Sequence, residues 1–135
     1  MEWKIEVIPI PVTDVEKAKA FYGESLGFVV DHDTQVSPEM RIVQLTPPGS
    51  SCSIVLGASG TTPPGSLQGV QIVVDDIDAA RAQLTGRGVE VSPVRHYAKD
   101  GTLAEGKGGR WNSFVFFNDL DGNGWVLQER PSGED

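Results

Sequence analysis

A nine-residue phrase that occurs twice constrains this chain more than any other feature, because a repeat of that kind sets the architecture as a pair of equivalent units. Val12-Thr13-Asp14-Val15-Glu16-Lys17-Ala18-Lys19-Ala20 returns as Val74-Asp75-Asp76-Ile77-Asp78-Ala79-Ala80-Arg81-Ala82, an offset of 62 residues from Val12 to Val74. Each copy follows a β-like run, Ile5 to Val12 and Val70 to Val74, and each opens a helix. Val15, Ala18 and Tyr22 stand at i, i+3 and i+7, as do Ile77, Ala80 and Leu84, so each helix carries one apolar stripe to pack on a sheet. Thr13 with Glu16 fits a capping box, and Gly27 and Gly88 stand where a left-handed residue would end each helix.

Three further β-rich stretches follow each helix: Phe28–Asp33, Arg41–Thr46 and Cys52–Leu56, then Val89–His96, Trp111–Phe117 and Trp125–Glu129. Each half therefore reads βαβββ. The turn before the last strand also recurs in kind, Pro48-Gly49-Ser50 against Asp121-Gly122-Asn123. Residues 58–68, rich in Gly, Ser, Thr and Pro, read as a linker between a first module at 1–57 and a second at 69–130, with 131–135 as a tail. A doubly wound parallel sheet would need a helix between most strands, and a ferredoxin-like domain has fewer strands per half. The expectation is one α+β domain of two βαβββ modules, whose curved mixed sheets enclose a cleft and carry the helices outside.

The 135 residues suffice for a core, and the apolar share of 39% and charged share of 22% are those of an ordinary globular protein. The formal charge of −8 opposes contact with nucleic acid or anionic lipid and would favour a cationic ligand. No apolar run approaches the roughly 20 residues of a membrane-spanning helix. The single cysteine, Cys52, cannot form an intrachain disulfide and reads as a small buried hydrophobe. Because the opening Met1-Glu2-Trp3-Lys4-Ile5 lacks the basic-then-apolar build of a signal peptide, the expected location is the cytoplasm.

The repeat, the passage from Val12-Thr13-Asp14 through Ala20-Phe21-Tyr22 to Leu26-Gly27-Phe28, and the turn Asp119-Leu120-Asp121-Gly122-Asn123 together resemble the vicinal oxygen chelate superfamily. That superfamily contains the glyoxalases, bleomycin-resistance proteins and extradiol dioxygenases. The resemblance spans nearly the whole chain, with Leu120 where the family turn usually has proline. In metal-dependent members the first and last strands of each half supply His, Gln or Glu ligands, and the resemblance places those positions at Val7, Ser53, Gly69 and Val126. Valine has no lone pair and glycine no side chain, so the resemblance implies a member without the metal set and without another cofactor. Gln71, Gln128 and Glu129 lie near the vacated places. Strand alternation puts Gln128 with Val126 on the cleft side and turns Glu129 away.

Several other residues could equip such a cleft. His32 and His96, late in the second strand of each half, are either general bases or surface histidines. Trp111, Phe114, Phe116 and Phe117 crowd one strand and put at least one ring on the cleft side. Trp125 should point to the helix layer, and Trp3 should cover a core edge or a dimer contact. The glycine-rich tract Ala98–Gly109 reads as a lid or a mobile loop. Pro9 and Pro11 each remove a donor, so their strand is short or their donor positions face away from a neighbour.

The leading expectation is a metal-independent binding protein of the bleomycin-resistance type. It would be a homodimer that sequesters a small organic compound, with Gln71, Gln128, Trp111, Asn112, Phe114, Phe116, Val7, Ser53, Gly69 and Val126 lining the cleft. The alternative is a metal-free isomerase, lyase or cyclase. His96 or His32 would then be the base, and Gln71, Gln128 or Asn112 would hold a carbonyl oxygen. A metal-dependent glyoxalase or dioxygenase ranks last.

Overall fold

The computed structural model describes residues 1–58 and 60–132; Ser59 of the expected linker and residues 133–135 of the expected tail lie outside the described residues. The chain is α+β and built of two modules, one with a four-stranded and one with a five-stranded mixed sheet. The first compact unit is Met1–Leu67 with Asp119–Asn123, and the second is Gln68–Asn118 with the chain from Gly124 onward.

In the first unit β1 (Val7–Ile10), β2 (Val29–Ser37), β3 (Met40–Thr46) and β4 (Ser53–Leu56) lie in the order β1-β4-β3-β2, with β1 parallel to β4. Helix α1 (Val15–Ala20) runs on through a π-helical stretch, Phe21–Ser25, and packs on β3 and β4. Strand alternation turns Ile10, Val43, Leu45, Ile54 and Leu56 toward the helix, where they are buried with Ala18 and Tyr22. Removing such a side chain, as in Leu45→Ala, costs about 2–5 kcal/mol. The other face carries Val7, Pro9, Ser53, Val55, Gln44 and His32.

Pro9 fits because β1 is an edge strand, and the strand is shorter than the 5–12 expected, so Pro11 falls outside it. The capping box at Thr13 does not form. Asp14 caps α1 instead, its carboxylate accepting from Lys17 N at 3.0 Å, and Asp76 does the same for the second helix. Thr13 Oγ1 donates to Asp121 Oδ1 at 2.6 Å. That contact belongs to a polar knot. The Asp119 carboxylate, 7% exposed, accepts from Tyr22 Oη at 2.6 Å, Asn123 Nδ2 at 2.8 Å, Asn123 N at 2.8 Å and Asp121 N at 3.0 Å. Asn123 Nδ2 also donates to Pro11 O at 2.8 Å, and Asn123 Oδ1 accepts from Leu67 N at 3.1 Å. The Asp-x-Asp-Gly-Asn turn is thus a buried clasp for the segment between β1 and α1.

In the second unit β5 (Val70–Val74), β6 (Arg95–Tyr97), β7 (Leu103–Glu105), β8 (Phe114–Asn118) and β9 (Gly124–Glu129) lie in the order β5-β9-β8-β6-β7. Helix α2 (Ile77–Gly86) packs on β8 and β9. Ile77 and Leu84 meet Val115, Phe117, Trp125 and Leu127, all buried, and the Phe117 and Trp125 rings stack at 6.4 Å. Trp125 and Phe117 are therefore helix-side residues. Gly88 ends α2 at φ 83°, and Val89 N reaches back to Leu84 O at 3.0 Å, the bonding of a left-handed C-terminal cap.

Two expectations fail in this unit. The stretch Val89–His96 is not one strand: Val91 makes a single bridge to Phe117, Pro93 has no donor to continue the ladder, and pairing resumes only at Arg95. The tract 98–109 is not a free loop or lid. It folds back as a hairpin in which β7 pairs with β6, Tyr97 opposite Leu103 and Arg95 opposite Glu105. Gly101 supplies the turn at φ 87°, and Ala98 N donates to Thr102 O at 2.8 Å.

Candidate functional site

With α2 covering one face of the five-stranded sheet, the register fixes what stands on the other. Gln71 lies opposite Val126, which lies opposite Phe116, forming one row across β5, β9 and β8. Val73, Gln128, Phe114 and Arg95 form the next row, one pleat along. Tyr97 and Leu103 flank it at the hairpin, 45% and 42% exposed. The Tyr97 ring meets Phe114 edge to face at 5.3 Å, and Phe114 stacks on Phe116 at 6.3 Å with 26° between planes. These rings, with Gln68, Gly69 and Gln71, line a cavity of about 450 Å³. Its lining combines aromatic rings with a few amides, the residue types of a small-molecule pocket.

The amides are ordered. Gln128 Nε2 donates to the backbone carbonyl of Trp111 at 2.8 Å, and Gln128 Oε1 accepts from Gln71 Nε2 at 3.3 Å. Trp111 holds φ 62°, a left-handed conformation that a bulky residue rarely adopts.

The sequence-predicted residues divide as follows. Gln71, Phe114, Phe116, Gly69 and Val126 line this one cavity, and Gln128 stands beside it. Trp111 does not join them. β8 begins only at Phe114, and Trp111 lies in the preceding loop beside a second groove. Asn112 does not line this cavity, and its amide is engaged by the Tyr97 backbone, Oδ1 accepting from Tyr97 N at 2.8 Å and Nδ2 donating one N–H to Tyr97 O at 2.9 Å. His96 alternates with Arg95 and Tyr97 and so stands on the opposite face from Gln71 and Gln128, its Nδ1 3.0 Å from Gly106 O. It is no base for a ligand lying on the amides. Val7, Ser53 and His32 lie on the face of the first unit's sheet away from α1, where Ser53 is buried and His32 is exposed between Asp31 and Asp33. There Thr46 Oγ1 bonds the Asp31 carboxylate and stands 2.6 Å from Ser53 Oγ.

The register also corrects the position equivalent to Val126. Val7 pairs with Ser53 and Pro9 with Val55, while Gly69 N bonds Gly124 O and Gln71 pairs with Val126. The place matching Val126 in the first unit is therefore Val55, not Ser53. The family's ligand positions fall on Val7 and Val55 in the first unit and on Gly69 and Val126 in the second, and none of the four offers a side-chain donor, so the residues present do not fit the group. Among the described residues no three His, Cys, Asp or Glu side chains gather where they could hold a metal ion.

Sequence reasoning missed Tyr97 and Leu103, because it ended the strand at His96 and took the next residues for a loop. The signal was Asp100-Gly101, a dipeptide that marks hairpin turns.

The second groove, about 650 Å³, runs beside the start of α2 between Asp75, Asp78, Lys107, Trp111 and Arg130. Its charges largely answer one another. Lys107 Nζ lies 3.0 Å from Glu129 Oε1, which raises the Lys107 ammonium above its usual range, and Arg130 pairs with Asp75. Glu129 Oε2 also accepts from Ile77 N at 3.0 Å, so this side chain serves the helix start.

Residues 4–127 match the Glyoxalase/Bleomycin resistance protein/Dioxygenase superfamily, and the chain belongs to it. TnmS3, an antibiotic binding protein from Streptomyces sp. CB03234, is 36% identical, with 96% of this chain and 98% of that one covered and a TM-score of 0.77. A glyoxalase/bleomycin resistance protein from the same organism is 37% identical over 93% of this chain and 99% of that one, with a TM-score of 0.72. YetH of Bacillus subtilis (strain 168), an uncharacterized protein, is 27% identical over 93% of this chain and 98% of its own length. Among the described residues no helix is long and apolar enough to cross a membrane.

Proposed function

We propose that this chain is a metal-independent small-molecule-binding protein that sequesters an organic compound on the face of its C-terminal sheet away from α2. The observation that carries the reading is the clustering of Tyr97, Phe114 and Phe116 with Gln71 around one cavity, in a chain with no donor at the family's metal positions. Aromatic rings supply the area of contact and the amides its orientation. The similarity to an antibiotic binding protein at 36% identity supports an antibiotic-like ligand. The charge of −8 adds long-range attraction for a cationic one. We also infer a homodimer, as the family resemblance implies.

A thermal-shift screen of antibiotics in the presence of EDTA tests the reading. Hits should stabilise the chain in proportion to ligand concentration. Phe114→Ala and Phe116→Ala, each truncating a ring of the cavity, should weaken a hit by about 10-fold or more, as for a buried aromatic contact. Hits that keep full affinity in both variants would move the site elsewhere.

A further inference from the structure

We infer that the site selects ligands carrying an N–H or O–H donor at the edge of a flat aromatic body, and that a one-way hydrogen-bond relay from Trp111 through Gln128 to Gln71 sets this preference. The inference rests on the proposed aromatic site and adds its selectivity.

An isolated glutamine can present either its oxygen or its nitrogen to a ligand, because the amide turns over by rotation about its last bond. Here the start of the chain of bonds has only one polarity. The Trp111 carbonyl can only accept, so Gln128 must aim its nitrogen at it, at 2.8 Å. That turns Gln128 Oε1 toward Gln71, which must answer with its own nitrogen, at 3.3 Å. Reversing Gln71 would set two carbonyl oxygens against each other. Gln71 Nε2 keeps a second N–H beside Gln128, while Gln71 Oε1 is turned away from Gln128 and is the acceptor the site offers. Gln71 is exposed and lines the cavity.

The distances suit a fused-ring compound. Gln71, Val126 and Phe116 follow one another across three strands, so the backbones of Gln71 and Phe116 are two strand spacings apart, about 10 Å. A bicyclic ring lying over Val126 against Phe116 brings a hydroxyl or amine on its end to Gln71. An ether at the same position places oxygen against oxygen. The left-handed Trp111 backbone acquires a role here, since it belongs to the turn that presents the carbonyl from which the relay starts.

The test compares 2-naphthol with 2-methoxynaphthalene, which share the ring system and differ in the donor, by ¹H–¹⁵N correlation titration of the full chain. The native chain should bind 2-naphthol about fivefold more tightly, the factor for one net hydrogen bond. Gln71→Leu should bring that ratio close to one. Gln128→Met, which frees Gln71 to turn over, should reduce it below about twofold, although Gln128 itself need not touch the ligand. Equal binding of the two probes to the native chain would overturn the selectivity while leaving the aromatic site standing. A ratio that persists in Gln71→Leu or in Gln128→Met would overturn the relay. Binding of neither probe would overturn the aromatic site and the selectivity together.

Discussion

Tyr22→Phe isolates a single bond of the buried clasp. The hydroxyl of Tyr22 donates to Asp119 Oδ2 at 2.6 Å, while the ring is fully buried and packs against Phe21 and Phe28 at 5.2 and 5.9 Å. Phenylalanine keeps the ring and its packing. What is lost is one hydrogen bond to a buried carboxylate, and bonds to charged groups contribute about 1.5–3 kcal/mol. Asp119 retains its three donors from Asn123 and Asp121, so the carboxylate is weakened but not stranded. The expected loss is about 2 kcal/mol, which lowers the melting temperature of a chain this size by roughly 6–10 °C. Urea unfolding followed by far-ultraviolet circular dichroism should show a lower midpoint with an unchanged slope. Asn123→Ala should cost more, about 3–5 kcal/mol, because it also strands Pro11 O and Leu67 N. A Tyr22→Phe loss below about 0.5 kcal/mol would mean that the clasp does not depend on this bond.

Asp76→Ala removes the cap of α2, whose carboxylate accepts from Ala79 N at 3.0 Å, and should cost about 1 kcal/mol in the same unfolding assay. Arg41 first, and Lys19 second, hold the Asp33 carboxyl well below the usual carboxylate range. A depressed acid stabilises the fold above its unfolded value, about pH 3.9, and that contribution fades as pH falls further toward the folded value. Asp33→Asn should therefore lower stability at pH 7 and flatten its fall between about pH 4 and 2, measured by urea midpoints across that range.

The repeat exposed most of the fold because both copies carry the same helix stripe and the same flanking β runs, which only a paired-module architecture accommodates. Asp14 and Asp76 take the same capping role in the two copies, although Thr13 was the residue expected to cap the first. The hairpin at 97–103 escaped notice for a physical reason. Three-residue strands carry little alternation, and the glycines around Leu103-Ala104-Glu105 mask the Asp100-Gly101 turn. Period-two alternation placed Gln128 with Val126 and apart from Glu129, as the register has it. Alternation alone does not say where β8 begins, and the left-handed backbone at Trp111, which precedes the strand and takes that residue out of the cavity, has no signature in the sequence. The Asn112 amide looked free in the sequence because its partner, the Tyr97 backbone, is fifteen residues away and is brought close only by the fold.

The most direct test of metal-independent binding on the C-terminal sheet is a ¹H–¹⁵N titration of the chain with 2-naphthol, run with and without EDTA, on protein whose metal content has been measured by elemental analysis. Amide shifts concentrated at Gln71, Tyr97, Phe114, Phe116 and Val126, with the same affinity after chelation, are expected. Near-stoichiometric retained metal together with binding that chelation abolishes would contradict it.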